Sequence, residues 1–473
     1  MHRLSILGAA ACLAVAAVTP AQARNVTLLS NFDPSGASSP YNDVWGYVAP
    51  DGREYAFLGA DNGTYIVDCT NPAAPAQRAF ISGPSGACCR DIRTYGTYAY
   101  VVADGVFFGG LQIIDMSDPD NPQLVNTWTG AFQDAHNVSI DTQTGTLYAV
   151  GTGQSPIVDL TADPVNPSQI GSVGGGYIHD MQVQDGFAHV ARIFNSDYDI
   201  LDVNDLSATS TLSSTGVNFA HNVWPTRDNN FAVVTTEISG ESITIVDITN
   251  KRLPQVLTTW RAPPSNSLPH NAYLKDRVVH VSWYASGYRV VDLSDPPNPR
   301  EVGFFDQSGG SPTAFTGNWG CYPFQPSGTI YLSDMQNGLY CVDAKARSVR
   351  FGNDTPGTGG VAPSIHAFGA AYKGNSNFAL EMEDAQPSAA FVVLLGVGAS
   401  PISVGGLNIN IDLSLPFIAV PGFADASGNA RIPIPMPASA ADATLYAQFF
   451  AQDAAGAFNF AGTKGLRFEV FAP

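Results

Sequence analysis

The chain has 473 residues, 13% of them charged, with 46 glycines, 33 prolines and a formal net charge of −19. Such acidity weighs against a nucleic-acid partner, because phosphate backbones are held by clustered Lys and Arg. The Gly and Pro content suits many short strands and tight turns rather than long helices.

Residues 1–23 have the form of a secretory signal. Arg3 supplies the positive start, Leu7 to Val18 the apolar middle, and Ala21-Gln22-Ala23 the small-x-small cleavage pattern. The apolar run is too short to span a bilayer, and no later stretch reads as an anchor. The mature protein is expected to be exported, in the cell envelope or outside the cell, with no membrane span. Cys12 leaves with the signal, and Cys69, Cys88, Cys89, Cys321 and Cys341 remain. An oxidising compartment favours disulfides, and the odd count leaves at least one thiol free or paired between chains. The adjacent Cys88 and Cys89 lack the spacing of a zinc site.

Beyond the signal the chain repeats. Thr64-Tyr-Ile-Val-Asp68 returns as Leu111–Asp115, Ser155–Asp159, Tyr198–Asp202, Ile243–Asp247, Tyr288–Asp292 and Leu339–Asp343. Successive copies of the Asp are 43 to 51 positions apart. A period of this length marks a propeller or another repeat array. Each unit holds four strand-like runs, in the second unit Asp91–Thr94, Tyr98–Ala103, Leu111–Asp115 and Gln123–Trp128, separated by turn residues. The repeated Asp opens a turn such as Thr70–Pro75, Ser117–Pro122 or Ser294–Pro299, so its expected role is to cap that turn rather than to catalyse. Seven units of four antiparallel strands predict an all-β, seven-bladed β-propeller over 24–346. The seventh unit fades after Asp343, and Asn25–Ser30 reads as an outermost strand, so the N-terminal strand is expected to complete the seventh blade. Residues 347–365, rich in Gly, Pro, Thr and Asn, read as a linker. Strand-like runs from Phe378 to Phe471 predict a small β-sandwich over 366–473.

Aligning the units at the first strand gives two ring positions. The first holds Asn42, Arg90, His136, His179, His221, His270 and Trp319; the second holds Asp43, Asp91, Asn137, Asp180, Asn222, Asn271 and Gly320. Four of the eight histidines thus fall at one repeat position in consecutive blades. The second strand of each blade returns to the same rim, where Asp61, Asp104, Glu237 and Asp334 stand near its end. Imidazoles beside carboxylates suit a divalent transition metal such as zinc. The candidate metal ligands are His136, His179, His221, His270 and Glu237, and the candidate ligand-binding residues are Asp43, Asp91, Asn137, Asp180, Asn222 and Asn271. The competing reading is a hydrated pore in which His and Asn bridge blades through water. His189, His280 and His366 share no repeat position and read as ordinary core residues. Trp224, Trp283 and Trp319, near the pore ends, are available to a ligand, although blade packing is the commoner use of such rings. The chain holds no Gly-x-Ser-x-Gly elbow, phosphate-cradling loop or His-Glu-x-x-His helix.

These motifs carry a resemblance. The x-[IV]-[ILV]-Asp strands look like LVIVD repeats. Together with Cys89–Gly96, Gly110–Asp115, Ala135–Val138, Ile178–Val183, Pro269–Leu274 and Trp319–Gly328, in that order, they make residues 40 to 343 resemble the choice-of-anchor B family of bacterial exported proteins. That resemblance implies a surface or secreted propeller with a variable C-terminal attachment, and it supplies no catalytic mechanism. No hydrophobic sorting tail is visible here. The segment from about 366 onward is similar to β-sandwich tails of other secreted bacterial proteins. The expected function is therefore an exported binding or scaffold propeller, holding a divalent metal or a small polar ligand at its rim and meeting a cell-surface or matrix partner. The alternatives are a metal-dependent hydrolase or lactonase, in which the ion would activate water, and a structural component of the envelope.

Overall fold

The computed structural model describes residues 22–34, 40–106, 109–263, 267–307 and 315–473. Apart from Gln22 and Ala23, the signal-like segment lies outside the described residues. No helix among the described residues is long and apolar enough to cross a membrane.

The repeat strand explains the architecture. Side chains alternate across a strand, so the two apolar residues before the repeated Asp face opposite ways. Ile66 packs into a core shared with Ile92, Val101 and Ile114 of the next unit, while Val67 packs with Tyr331, Leu339 and Cys341 of the last. Ile245 and Val246 divide in the same way between the following and preceding units. Each such side chain is fully buried, and burial of a Val or Ile contributes about 1.5–3 kcal/mol. A unit alone would leave one face wet, so the units stack.

They stack into seven blades, each a four-stranded antiparallel sheet ordered from the inner strand outward. The inner strands are Tyr41–Val48, Ile92–Tyr95, Asn137–Asp141, Asp180–Gln184, Ala220–Pro225, Ala272–Lys275 and Asn318–Tyr322. Each inner strand touches the next, and the seventh touches the first, closing the ring. Blade 7 takes its outer strand from the N-terminus: Val26–Phe32 pairs antiparallel with Leu339–Ala344. The expected closure is therefore present. Gln22–Arg24 adds a fifth strand to the outer edge of blade 6.

Two local devices recur. In six blades the repeated Asp accepts the amide N–H two residues on: Asp68 from Thr70, Asp115 from Ser117, Asp159 from Thr161, Asp202 from Asn204, Asp247 from Thr249 and Asp292 from Ser294. This is the turn role expected of it. In all seven blades the outer strand carries a bulge opposite the apolar pair of the repeat. A bulge inserts one residue and increases twist, which bends the outer strand round the wheel.

The stretch expected as a linker, 347–365, carries structure of its own. Ser348–Phe351 pairs with Gly465–Phe468 and Ser364–Phe368 pairs with Ala379–Glu383. Its Gly and Pro residues lie between these strands, and the first of them pairs with residues that follow much later in the chain. The C-terminal unit has a large sheet, built on Ala443–Ala457, and a three-stranded sheet of Ser364–Phe368, Ala379–Glu383 and Ala430–Pro433. Both contribute to one apolar core, with Phe378, Leu380 and Met382 against Phe391, Phe449 and Phe468. This unit docks at the end of the inner strands remote from the histidines. Tyr372 and Phe471 join a core with Val278, Val290 and Val302 of blade 6. Arg227 pairs with Glu381 and Glu383, and Asp292 accepts the Ala370 N–H at 2.6 Å.

Candidate functional site

At the start of the inner strands the four imidazoles form one arc. Ring centroids are 4.2 Å apart for His136–His179, 4.3 Å for His179–His221 and 4.5 Å for His221–His270. Trp319 continues the arc, 4.5 Å from His270. The equivalent backbone position in consecutive blades brings the rings together, as the repeat alignment predicts.

The orientation of the rings follows from their hydrogen bonds. His179 Nδ1 lies 3.0 Å from the His221 carbonyl, His221 Nδ1 3.2 Å from the His270 carbonyl, and His270 Nδ1 2.6 Å from the Trp319 carbonyl. A carbonyl oxygen only accepts, so in each case Nδ1 carries the proton and Nε2 keeps its lone pair. This is the arrangement by which proteins orient a metal-binding imidazole. Burial holds these rings neutral: the pKa of His179 falls well below the ordinary value, and those of His221 and His270 fall to about 3. Glu237, at the end of the second strand of blade 5, stands 3.6 Å from His221 Nε2 and 3.8 Å from His270 Nε2. One ligand atom each from His179, His221 and Glu237 lie within 4.8 Å of one another. Tyr284 donates to Glu237 Oε1 at 2.6 Å and fixes the carboxylate. The residues present thus offer two imidazole nitrogens and a carboxylate, a donor set suited to zinc-like ions.

His136 differs from the other three. Its Nδ1 meets Asp104 Oδ2 at 2.8 Å. Burial opposes its charge, but the hydrogen bond and charge of Asp104 outweigh burial and raise its pKa. The same hydrogen bond lowers that of Asp104. Asp104 also groups with Cys88 and Cys89, whose sulfurs are 3.3 Å apart. The five cysteines of the described residues are free thiols.

The second ring position lies one step deeper and does other work. Asp43 accepts the Ile92 N–H at 3.2 Å, Asp91 the Val138 N–H at 3.3 Å, and Asn222 the Ala272 N–H at 3.0 Å. Each bond ties one inner strand to the next. Asn222 also donates to Asp180 at 2.7 Å. Arg93, buried and stacked 4.0 Å over Trp45, reaches Asp91 at 3.0 Å and Asp43 at 3.7 Å. Burial raises the pKa of Asp43 to about 6 and also raises those of Asp91 and Asp180. Asn137 and Asn271, with Asp43 and Asp91, line the small cavity beneath the imidazoles, about 20 Å³ in volume.

Of the sequence-level candidates, His179, His221, His270 and Glu237 converge, and His136 joins the arc through its ring contact with His179 while its Nδ1 is taken by Asp104. Asp334 instead caps its own turn, accepting from Gln336 and Asn337. Arg90 turns to the carbonyls of Ala60, Asp61 and Pro84. Sequence reading passed over Arg93 and Tyr284, and set aside the Cys pair for lack of zinc-site spacing, whereas the fold brings both sulfurs beside Asp104. Tyr284 was detectable in the alignment, since it takes in blade 6 the place that Glu237 takes in blade 5. Cys89 directly precedes the ring position of blade 2 and lines the same cavity.

The LVIVD-repeat family model matches residues 53–78 and 87–129, in blades 1 and 2. A search of curated proteins finds no match. Among solved structures the chain is similar to the crystal structure of the RRP9 WD40 repeats, with a TM-score of 0.49 and 10% identity over 67% of this chain and 97% of that one. It is also similar to YCF48 bound to a D1 peptide, with a TM-score of 0.46 and 11% identity over 69% of this chain and 96% of that one. The chain is an all-β protein of seven four-stranded blades, the first two of which match the LVIVD repeat.

Proposed function

We propose that this protein is an exported binding propeller of the choice-of-anchor B kind whose rim holds one divalent transition-metal ion, zinc or similar. His179, His221 and Glu237 are the ligands, and His270 stands beside them. The carrying observation is the tautomer: consecutive Nδ1–H groups point into backbone carbonyls and leave Nε2 lone pairs beside Glu237. The cavity beneath the imidazoles, about 20 Å³ and lined by His179, His221 and His270 but not by Glu237, has room for roughly one ion or water. That size favours holding an ion over turning over a substrate. The signal-like start supports export. The C-terminal sheets, read as a β-sandwich, leave the metal rim open because they dock at the other end of the channel.

Metal analysis of protein purified without chelator, then reloaded with zinc, tests this reading. About one equivalent is expected, and it is lost in His221→Ala and Glu237→Gln. Less than roughly a tenth of an equivalent after reloading overturns it. Metal-dependent turnover of esters or lactones, abolished by His179→Ala, would replace it with the hydrolase reading.

A further inference from the structure

The far end of the channel, where the C-terminal unit docks, encloses a cavity of about 440 Å³. That is within the range of a metabolite-sized pocket, and such pockets concentrate at domain interfaces. Its chemistry departs from the rest of the molecule. In a chain of net charge −19, this cavity is lined by Arg227, Lys275, Arg350 and Lys464. Its one acidic lining residue, Asp276, is engaged: it accepts from Ser348 Oγ at 2.5 Å and lies 3.4 Å from His366 Nδ1. Arg227 is paired with Glu381 and Glu383, but Lys275 and Arg350 have no carboxylate within ion-pair distance among the described residues. Lys275 donates only to the Pro323 carbonyl, at 3.1 Å. Arg350 Nη1 meets only the His366 ring, at 3.3 Å. The wall between these cations is aromatic, Trp224 against Phe324 with centroids 5.6 Å apart.

We propose that this interdomain cavity binds a small organic anion, its carboxylate or phosphate head on Lys275, Arg350 and Lys464 and its flat apolar body against Trp224 and Phe324. Lys275 and the exposed Arg350 face one space and repel each other, with Asp276 the single carboxylate lining it. Burial weakens the protonated form of Lys275, Asp276 supports it, and the charges of Arg350 and Arg347 weaken it again, so that on balance its pKa is lowered. An anionic head relieves that repulsion and forms charge-assisted hydrogen bonds. The site is formed by blades 4 to 7 with the C-terminal unit, so occupancy would also tighten the docking of the two. This inference is independent of the metal at the opposite rim.

The test is calorimetry and thermal melting of the full chain with benzoate, phenyl phosphate, inorganic phosphate and the neutral benzamide. Benzoate and phenyl phosphate are expected to bind and raise the melting temperature, with benzamide weaker by about tenfold or more. Lys464→Glu, an exposed change, and Lys275→Met should each weaken anion binding by at least about tenfold. His221→Ala, at the other end, should leave it unchanged. Tighter binding of inorganic phosphate than of either aromatic anion overturns the aromatic part of the proposal. No binding of any anion at millimolar concentration, or binding indifferent to both lysine substitutions in folded variants, overturns the whole.

Discussion

Two tiers of side chains, one residue apart on the same inner strands, have opposite fates. In the upper tier, His179, His221 and His270 use Nδ1 for the neighbouring backbone and keep Nε2 directed at Glu237 and the open space. In the lower tier, Asp43, Asp91 and Asn222 use their oxygens on the next blade's amide, and Arg93 serves as an internal cation. Both tiers were equally polar and equally regular in the repeat alignment. What separates a candidate metal ligand from a blade staple is which atoms face Glu237: the imidazole Nε2 atoms of His221 and His270 do, whereas the oxygens of Asp43, Asp91 and Asn222 reach the next blade's amides.

Both tiers presuppose a closed ring, so the largest effect should come from opening it. Deleting residues 24–34 removes the outer strand of blade 7 and should lower the melting temperature by more than about 10 °C. An unchanged melt would show that closure does not depend on this strand. Next in size is Arg93→Met, which leaves buried carboxylates without their counter-charge. It should destabilise by about 3–5 kcal/mol in denaturant titration, while zinc stoichiometry at the rim stays near one in the folded fraction. The upper tier should respond the other way round. His221→Ala should reduce zinc affinity by at least about 100-fold in competition with a chromophoric chelator, yet perturb the metal-free melt less than Arg93→Met. An upper-tier change that unfolds the protein, or a lower-tier change that abolishes metal binding, would break the distinction.

Acid should sharpen it, with smaller effects. His221 and His270 have folded pKa values near 3 because they are buried, against about 6.5 when unfolded. Their contribution to stability is complete above pH 6.5 and is lost as pH falls towards 3. Below pH 6.5 each should cost about 1.4 kcal/mol per pH unit. Asp43 works in the opposite sense. Its pKa is raised by burial to about 6, so between pH 6 and about 4 the folded state holds the extra proton and acidification stabilises. Denaturant titrations from pH 7 to 4 should therefore show less acid sensitivity in His270→Ala than in the parent, and more in Asp43→Asn. Equal slopes in all three would refute the assignment.

Much of this was legible from residues alone, and the reason is locality. A strand's apolar pair, the Asp that caps the following turn and the Gly or Pro that ends a run act over a few positions. Seven copies of an apolar pair followed by Asp at a steady interval therefore specify seven blades, and a fading last copy beside a stray N-terminal strand specifies the seam. Equivalence of wedges then places His136, His179, His221 and His270 on one rim. Everything that distinguishes those histidines from one another was settled by tertiary packing. The carbonyls that fix His179, His221 and His270 lie 42 to 49 residues away and the carboxylate that holds His136 lies 32 away, Arg93 gains its role only when neighbouring blades bring carboxylates around it, and the cationic cavity exists only once Ser348–Phe351 joins a sheet completed more than a hundred residues later. Hydrogen bonds and charges between blades depend on distance in space, and no period in the sequence records that.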